Sequence, residues 1–278
     1  MQIARTVREL RDWLDGRRAA FVPTMGALHE GHLALIRHAE SLGEPVVVSI
    51  FVNPTQFGPN EDFSRYPRTL ETDLAACEEI GADLVFTPAA EEIYPPGQPP
   101  MEIALPPVAT EPGLEDAHRP GHFRGVCQVV ARLFDLVEPA VAIFGEKDYQ
   151  QLLVIRAMVK QEQPRWQGLT VTGLPTVRDP DGLAMSSRNR YLDPEQRDRA
   201  LGLARALQAA HAAQKPDTAE AIMIETLRAH DLAIDYAVVR DSETLMPVGD
   251  FSRPTRALIA ARLDDVRLID NQAMTVWT

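Results

Sequence analysis

The sequence predicts an α/β protein in which a Rossmann-like parallel sheet domain is followed by a second, smaller α+β domain. Over the first two thirds of the chain, short apolar runs alternate with amphipathic helical patterns, which is typical of a parallel sheet covered by helices on both faces. After residue 177, two helical patterns precede two strand patterns, as in α+β domains. The chain has 278 residues, of which 45% are hydrophobic, enough to build two cores. We therefore place the domains at residues 1–176 and 177–278.

The elements of the first domain follow from its apolar patterns. The run from Val46 to Val52 is the clearest buried strand, because only Ser49 interrupts it. Prolines crowd residues 88–120 and predict an extended, irregular excursion over the surface. The predicted strands are 19–22, 46–52, 82–87, 141–144 and 169–177. One helix is predicted to begin at residue 33, and three others to cover residues 69–80, 124–137 and 150–159.

The second domain opens with the turn signal Asp179-Pro-Asp-Gly182. Two alanine-rich helical patterns follow it, and two strand patterns come after them. We assign the helices to residues 194–213 and 218–230, and the strands to 234–239 and 256–262.

Charge and composition exclude several classes of protein. Lys and Arg total 28 against 40 for Asp and Glu, a net charge of -12 that repels a nucleic-acid backbone. The amino terminus lacks the features of a signal peptide, and no apolar stretch approaches the roughly 18 residues that span a bilayer. We therefore expect a cytoplasmic protein that binds neither nucleic acid nor membrane. Cys77 and Cys127 lie among apolar neighbours in helical patterns, which indicates core residues rather than a disulfide.

The segment PTMGALHEGH (residues 23–32) places two histidines and two glycines where a strand passes into a helix. Gly26 and Gly31 allow the backbone to approach a ligand, and the amides and dipole of the first helical turn favour a phosphate. His29 and His32 can add positive charge there. A nucleotide phosphate is the ligand that this turn suits best.

Two other interpretations of these histidines stay open. Either imidazole could be a helix cap or an ordinary surface group. They could also be metal ligands, but zinc-protease helices use His-Glu-x-x-His, with histidines four residues apart, whereas His29 and His32 are three apart.

Three further loops carry polar residues suited to the same chemistry. They are residues 53–56, residues 145–151 and residues 185–188, and with the histidine turn they could converge on one cleft. Lys147 and Arg188 can bind phosphate, and Ser186 and Ser187 can donate to its oxygens, although such a serine pair could also cap a surface turn. The chain has neither a P-loop nor a Gly-x-Gly-x-x-Gly motif.

Amides and carboxylates complete the set of candidate residues. Gln56 and Gln151 are both donors and acceptors, which suits recognition of a hydroxy acid, and each could equally be a solvated side chain. Asp73 and Glu71 could hold Mg²⁺ together with nucleotide oxygens, or form the solvated face of a helix.

Seven sequence strings together resemble the pantothenate synthetase (pantoate:beta-alanine ligase) family, within the HxGH nucleotidyltransferase superfamily. The HxGH turn is shared widely in that superfamily, whereas its combination with the other strings is much narrower. The strings are PTMGALHEGH, VVVSIFVNPTQF, RYPRTLETD, RPGHFRGV, FGEKDYQQL, DGLAMSSRNRYL and RLIDN, in that order between residues 23 and 271.

The resemblance implies a two-step, AMP-forming ligase. Pantoate would attack the α-phosphorus of ATP to give pantoyl adenylate and pyrophosphate, and the amine of β-alanine would then displace AMP. It also implies Mg²⁺ and a homodimer. The alternatives are a nucleotidyltransferase of the same superfamily that retains the nucleotide on its product, and a nucleotide-binding protein without turnover.

The resemblance also implies roles for particular residues. His32 matches the proton donor of the HxGH motif, and Asp73 matches an acid linked to magnesium. Arg119 and His122 are expected to contact β-alanine or to close the site. The implied catalytic residues are His29, His32, Lys147, Ser186, Ser187 and Arg188. The implied ATP site contains Met25, Gly26, Ala27, Leu28, His29, Glu30, Gly31, His32, Gly145, Glu146, Lys147, Asp148, Val177, Met185, Ser186, Ser187 and Arg188. The implied pantoate site contains Gln56, Gln151, Asn53 and Met25.

Overall fold

The computed structural model of the protein describes residues 1–59, 61–99 and 101–274. The chain divides into two compact units. The first contains residues 1–146 and 151–175, and the second contains residues 147–150 and 176–278. Residues 275–278 of the predicted second domain lie outside the described residues.

The first unit is built on a six-stranded parallel sheet, which confirms the predicted fold class. The strand order is β1-β4-β3-β2-β5-β6. The amino-terminal strand was not predicted, because three residues are too few to show a pattern. The strands are β1 (Gln2–Ala4), β2 (Ala20–Thr24), β3 (Val46–Ile50), β4 (Leu84–Phe86), β5 (Val141–Gly145) and β6 (Thr170–Leu174).

Helices follow most of these strands. The first helix was not predicted, although Thr6 and Glu9 form a capping box at its start. The predicted helix over 69–80 is confirmed, with Thr69 and Ile80 as its caps. The helices are α1 (Val7–Leu14), α2 (Glu30–Ser41), α3 (Leu70–Glu79), α4 (Ala90–Ile93), α5 (Glu115–His118), α6 (His122–Val137) and α7 (Tyr149–Gln161).

Alternation along the strands divides the buried side chains between two cores. Phe21 and Val47 belong to the cluster that includes residues of α1, α6 and α7. Val22 and Val48, their neighbours in sequence, belong to the cluster that includes residues of α2 and α3. Both faces of the sheet are therefore covered, as expected for parallel strands.

The proline-rich segment differs from the prediction. Residues 88–120 contain α4, α5 and a short 3₁₀ turn at Pro107–Ala109. Ile93 and Leu114 are each only 1% exposed, so parts of the segment pack into the interior rather than over the surface. The apolar side chains between the prolines account for this burial. Proline does not prevent short helical turns here, because it is tolerated in the first turn of a helix, as at Pro107.

Within its residues 176–274, the second unit contains three α-helices and an antiparallel sheet of order β7-β8-β9. The helix predicted over 194–213 is divided into two at Leu201, where Gly202 lies so close to His230 that a Cβ would be 2.8 Å from it. The third strand was not predicted, because charged residues interrupt its apolar pattern. The elements are α8 (Pro194–Ala200), α9 (Gly202–Ala210), α10 (Pro216–Ala229), β7 (Ala233–Asp241), β8 (Thr255–Leu263) and β9 (Val266–Ala273).

Cys77 and Cys127 are free and buried in α3 and α6, as predicted. Burial raises the pKa of each thiol to about 12, so neither is a reactive thiolate near neutral pH. Within the described part of the chain, no helix has the length and apolar character needed to cross a membrane.

Candidate active site

The carboxyl ends of β2, β3 and β5 define the candidate active site in the first unit. These strands are neighbours and parallel, and the chain order reverses between β2 and β5. Such a switch point opens a crevice at the carboxyl edge of the sheet, where ligands bind. The histidine turn follows β2, the segment with Asn53 and Gln56 follows β3, and Gly145 and Glu146 lie at the end of β5.

The two imidazoles are held at the start of α2 by a reciprocal cap. His29 is the N-cap, and its Nδ1 accepts a hydrogen bond from the Gly31 amide at 3.2 Å. The Nδ1 of His32 accepts one from the His29 amide at 3.4 Å, and the ring centroids are 4.1 Å apart. Because each Nδ1 is an acceptor, we assign the proton of each neutral ring to Nε2. Both imidazoles are thus N–H donors beside the positive end of a helix dipole.

A buried carboxylate holds the backbone just before these histidines. Asp73, in the first turn of α3, is only 2% exposed. Its Oδ2 accepts from the Ala27 amide at 2.9 Å, and its Oδ1 accepts from the Leu28 amide at 2.8 Å and from the Thr69 hydroxyl at 3.2 Å. Sequence reasoning expected this carboxylate to face Mg²⁺, but its hydrogen bonds go to the protein.

The residues predicted to bind pantoate form a hydrogen-bonded group. Asn53 Nδ2 donates to Gln56 Oε1 at 3.1 Å, and Gln56 Nε2 contacts Met25 Sδ at 3.2 Å. Asn53 is 1% exposed and Gln56 is 8% exposed. The structure therefore brings Met25, Asn53 and Gln56 together. Gln151 lies in the first turn of α7 and is half-buried.

Two further residues support this group, and sequence reasoning did not single them out. Tyr94 donates its hydroxyl to Asn53 Oδ1 at 2.8 Å, and burial raises the pKa of Tyr94, which keeps the donor protonated. Asn53 Nδ2 also donates to the carbonyl of Gly125 at 3.2 Å. No local pattern marks Tyr94, whereas Gly125 lies in the quoted string RPGHFRGV.

Arg119 and His122 belong to a cluster with Glu61. Arg119 donates to both carboxyl oxygens of Glu61, at 2.9 and 2.6 Å. His122 donates through Nδ1 to the Gln56 carbonyl at 2.9 Å, and its Nε2 accepts from Arg119 at 3.1 Å. These bonds attach the start of α6 to the backbone of a candidate pantoate residue. The predicted contact of Arg119 and His122 with β-alanine stays a prediction.

In the second unit, a hairpin brings the remaining nucleotide candidates together. The Met185 amide donates to the Val177 carbonyl at 3.0 Å, and the chain turns at residues 179–182 between them. Ser186 caps the 3₁₀ turn Ser187–Tyr191, with its Oγ accepting from the Arg188 amide at 3.3 Å. Ser187 is 7% exposed. Val177, Met185 and the serine pair are therefore neighbours, despite the residues that separate them in sequence.

Lys147 lies in the same unit, and its backbone carbonyl accepts a hydrogen bond from a residue of the string RLIDN (residues 267–271). Asn271 Nδ2 donates to the Lys147 carbonyl at 2.8 Å, and Asn271 Oδ1 accepts from Arg256 at 2.6 Å. The Arg256 guanidinium lies 3.7 Å from the centre of the Tyr149 ring. The Lys147 ammonium lies 3.9 Å from the adjacent Asp148 carboxylate. Asn271 and Arg256 were not predicted as site residues, although RLIDN was a visible signal.

Asp73 is poorly suited to act as a ligand of a magnesium ion. Mg²⁺ is usually held by one or two carboxylates that keep oxygens available beside phosphates and water. Three protein donors already engage the Asp73 oxygens. Across residues 1–59, 61–99 and 101–274, no group of three or more His, Cys, Asp or Glu side chains forms a metal site.

The parallel sheet with its switch point and histidine-capped helix defines an α/β nucleotide-binding protein of the Rossmann-like class. Residues 2–273 match the family model described as pantoate-beta-alanine ligase, and the chain belongs to that family.

Known relatives agree with this membership over nearly their whole length. The pantothenate synthetase of Myxococcus xanthus is 49% identical, covering 98% of this chain and 96% of its own. The crystal structure of pantothenate synthetase from Thermus thermophilus has a TM-score of 0.92 at 48% identity, covering 98% of this chain and 99% of its own. Pantoate-beta-alanine ligase from Francisella tularensis, solved in complex with beta-gamma ATP and beta-alanine, has a TM-score of 0.80 at 32% identity, covering 98% of this chain and 97% of its own.

Proposed function

We propose that this protein condenses pantoate with β-alanine at the expense of ATP, giving pantothenate, AMP and pyrophosphate. The observation that carries the proposal is the family match over residues 2–273, which includes every candidate site residue. The Francisella relative was solved with an ATP compound and β-alanine, two of the three expected substrates. The enzyme is an amide-forming ligase that produces AMP.

The reaction takes place in two steps through pantoyl adenylate. A pantoate carboxylate oxygen attacks the α-phosphorus of ATP, the bond from that phosphorus to the oxygen shared with the β-phosphate breaks, and pyrophosphate leaves with that shared oxygen. The unprotonated β-alanine nitrogen then attacks the acyl carbon, AMP leaves with the former carboxylate oxygen that bridged the acyl carbon and the phosphorus, and a proton from the nitrogen is released to solvent. Each step keeps the balance of atoms and charge.

The first step brings two anions together, so the site has to supply positive charge and fixed donors. His29 and His32 donate hydrogen bonds through Nε2 at the start of α2, and the bond from His32 stabilises the charge that develops on the leaving pyrophosphate. Lys147, Ser186, Ser187 and Arg188 bind the phosphates as the cationic and hydroxyl donors of the second unit. Support comes from the reciprocal cap that orients both rings and from the contacts that hold Lys147 and the serine pair.

Pantoate occupies the group formed by Met25, Asn53 and Gln56, and Gln151 completes it. Amide side chains can donate to a carboxylate and accept from a hydroxyl, which matches a hydroxy acid. When bound with ATP, Mg²⁺ would neutralise part of the charge on the phosphates.

The assembly and location of the enzyme are part of the proposal. The family resemblance favours a homodimer, which sedimentation velocity would test. The net charge of -12 disfavours nucleic acid as a partner, and the composition favours the cytoplasm as the place of action.

The proposed reaction is tested by omission of substrates and by isotope transfer. Pantoate labelled with ¹⁸O in its carboxylate should transfer one label to AMP, because the bridging oxygen leaves with the nucleotide. Pyrophosphate exchange into ATP should require pantoate but not β-alanine. Pyrophosphate release with a nucleotide retained on the product would instead identify a nucleotidyltransferase. Absence of AMP with every acid offered would indicate nucleotide binding without turnover.

A further inference from the structure

The turn between β2 and α2 holds two consecutive residues in the left-handed backbone region. Gly26 has φ 77° and Ala27 has φ 51°. Glycine adopts this region without penalty, whereas for a residue such as alanine it costs roughly 1 to 2 kcal/mol. Ala27 is also fully buried. The surrounding structure therefore has to stabilise this conformation.

Asp73 provides that stabilisation from another element. Its carboxylate accepts from the successive amides of Ala27 and Leu28, at 2.9 and 2.8 Å. Successive N–H groups around one anion form a nest, and bonds to a buried carboxylate are stronger than neutral ones. A Cβ on Gly26 would lie 3.0 Å from Asp73 Oδ2, so a side chain there would push against the carboxylate.

Because the Asp73 carboxylate occupies this nest, the two amides that form it are not available to bind ATP. Ala27 and Leu28 were predicted to line the ATP site, and in the structure their backbone amides donate to the Asp73 carboxylate. Phosphate contacts of this turn therefore begin at the start of α2, with the His29 N-cap and the histidine that follows it. The turn places the imidazoles, and the helix start meets the nucleotide.

We infer that Asp73 is a positioning residue that fixes the turn carrying His29 and His32, rather than a ligand of Mg²⁺. Leu28, whose amide Asp73 holds, directly precedes the His29 cap. The Thr69 hydroxyl occupies a further position on Oδ1, and the side chain is almost fully buried. The inference rests on the proposed assignment of this turn to the ATP site.

The first test is Asp73→Asn, with Glu79→Gln as its matched control. The substitution keeps the shape of the side chain but turns an NH₂ group toward a backbone N–H. Glu79 is an exposed acid at the end of the same helix, so its variant makes the same charge change away from the turn. We expect kcat to fall by about 10- to 100-fold in Asp73→Asn, as for a misplaced catalytic group, and to stay at the wild-type value in Glu79→Gln.

Magnesium dependence separates positioning from ligation. We expect the Mg²⁺ concentration at half-maximal rate to stay within about twofold of wild type in Asp73→Asn, because removing a contact outside the metal shell leaves metal affinity unchanged. The double variant Asp73→Asn with Ala27→Gly should recover part of the lost kcat, because glycine adopts φ 51° without strain. Loss of a metal ligand would not be corrected by Ala27→Gly.

Two further measurements test the inference even if Asp73→Asn folds poorly or the proposed reaction is incorrect. Thr69→Val removes the hydroxyl bond but keeps both amide bonds, and we expect a smaller kcat loss with the same Mg²⁺ dependence. Hydrogen exchange at the Ala27 and Leu28 amides needs no substrate, and protection there should fall in Asp73→Asn but not in Glu79→Gln. Even if the wild-type protein formed no AMP, which would refute the proposed function, this exchange measurement would still test the nest. A Mg²⁺ requirement raised about tenfold or more, a wild-type kcat, or unchanged protection in Asp73→Asn would each overturn the inference.

Discussion

At the scale of single residues, the histidines differ in which ring nitrogen carries the proton. In the pair at the start of α2, Nδ1 accepts from backbone amides, so the ring proton is on Nε2. In His122 the arrangement is reversed, because Nδ1 donates to the Gln56 carbonyl and Nε2 accepts from Arg119. The first arrangement suits donation to phosphate oxygens, and the second fixes a neutral ring inside the protein.

Removal of one hydrogen-bond donor from the proposed phosphate site should reduce turnover strongly. We expect His32→Ala and Lys147→Ala each to lower kcat by about a hundred- to thousandfold, because one donor to developing charge contributes roughly 2.7 to 4 kcal/mol. Rapid-quench measurement of AMP checks this, with His38→Gln as a control on the same helix as His32. Wild-type rates in both variants, with unchanged melting temperatures, would refute the assignment of these residues.

His122 should make the stability of the protein depend on pH. Burial first, and then the charge of Arg119, lower the pKa of His122 to about 4. Its ordinary value of about 6.5 applies to the unfolded chain, which therefore binds more protons in this range. The contribution to stability is complete above pH 6.5 and is lost as the pH falls toward 4, by on the order of 3 kcal/mol.

Urea unfolding at several pH values between 7.5 and 4 measures this loss. His122→Gln should remove most of the decrease in this window, whatever its stability at pH 7.5, and His38→Gln should leave the decrease in place. Parallel profiles for the wild type and His122→Gln would show that another group is responsible. The pKa of Glu61 shifts in the same direction as that of His122. Burial alone would raise the pKa of its carboxyl, but the hydrogen bonds and charge of Arg119 outweigh burial and lower it.

At the scale of elements, the contact between α6 and the turn after β3 shapes the proposed pantoate site. A Cβ placed on Gly125 would lie 2.3 Å from the Thr55 carbonyl oxygen, which belongs to the 3₁₀ turn Pro54–Gln56. Only glycine allows the helix backbone to approach this turn so closely. The same turn carries Gln56.

Gly125→Ala should therefore displace the pantoate group more than the phosphate turn. We expect the KM for pantoate to rise about tenfold or more while the KM for ATP changes little, with a stability loss of about 1 to 3 kcal/mol. Steady-state kinetics with each substrate varied would check it. Gly249→Ala is the control, because a Cβ there meets open space. Equal changes in both KM values would show that the substitution acts on the whole fold.

The strand β9 supports the turn that carries Lys147. Asn271→Asp keeps an acceptor for Arg256 but loses the donor to the Lys147 carbonyl, so two oxygens would face each other. We expect kcat to fall about tenfold, because a shift of a catalytic group by a fraction of an ångström is costly.

Gln272→Glu provides the matched amide-to-acid control for Asn271→Asp at the next position of β9, where the side chain contacts His211. Single-turnover rates of adenylate formation would separate the two variants. Equal losses would indicate a general effect of charge on the strand rather than support of Lys147.

At the scale of the whole molecule, the hydrophobic cores of the two compact units are built from separate residues. Leu136 is buried in the core formed by residues of the first unit, and Leu207 in the core formed by residues 183–274. Leu136→Ala and Leu207→Ala should each cost about 2 to 5 kcal/mol, because the cavities collapse only in part.

Hydrogen exchange followed by mass spectrometry tests whether each core stabilises its own unit. We expect Leu207→Ala to raise exchange first in peptides from residues 176–274, and Leu136→Ala to raise it first in peptides from the first unit. Ser41→Ala, an exposed change, serves as the control. Uniform increases across the chain in both variants would show a single cooperative unit instead.

The sequence alone determined the parallel sheet, most of its helices and the family. Strands such as β3 and helices such as α3 are visible because burial imposes a period that a short window of residues reveals. The histidine turn was equally visible, because its chemistry lies within ten consecutive residues, 23–32.

Only the tertiary structure decided which side chains meet partners that are distant in sequence. Asp73 meets amides 45 and 46 residues away, and Asn271 supports a carbonyl 124 residues away. The edge strands β1 and β9, the packed prolines of residues 88–120 and the lowered pKa of His122 also depend on distant neighbours. Local patterns record which side chains are buried, but a carboxylate looks the same in sequence whether it faces a metal ion or a backbone nest. The physical reason is that its role depends on the donors that folding brings to it.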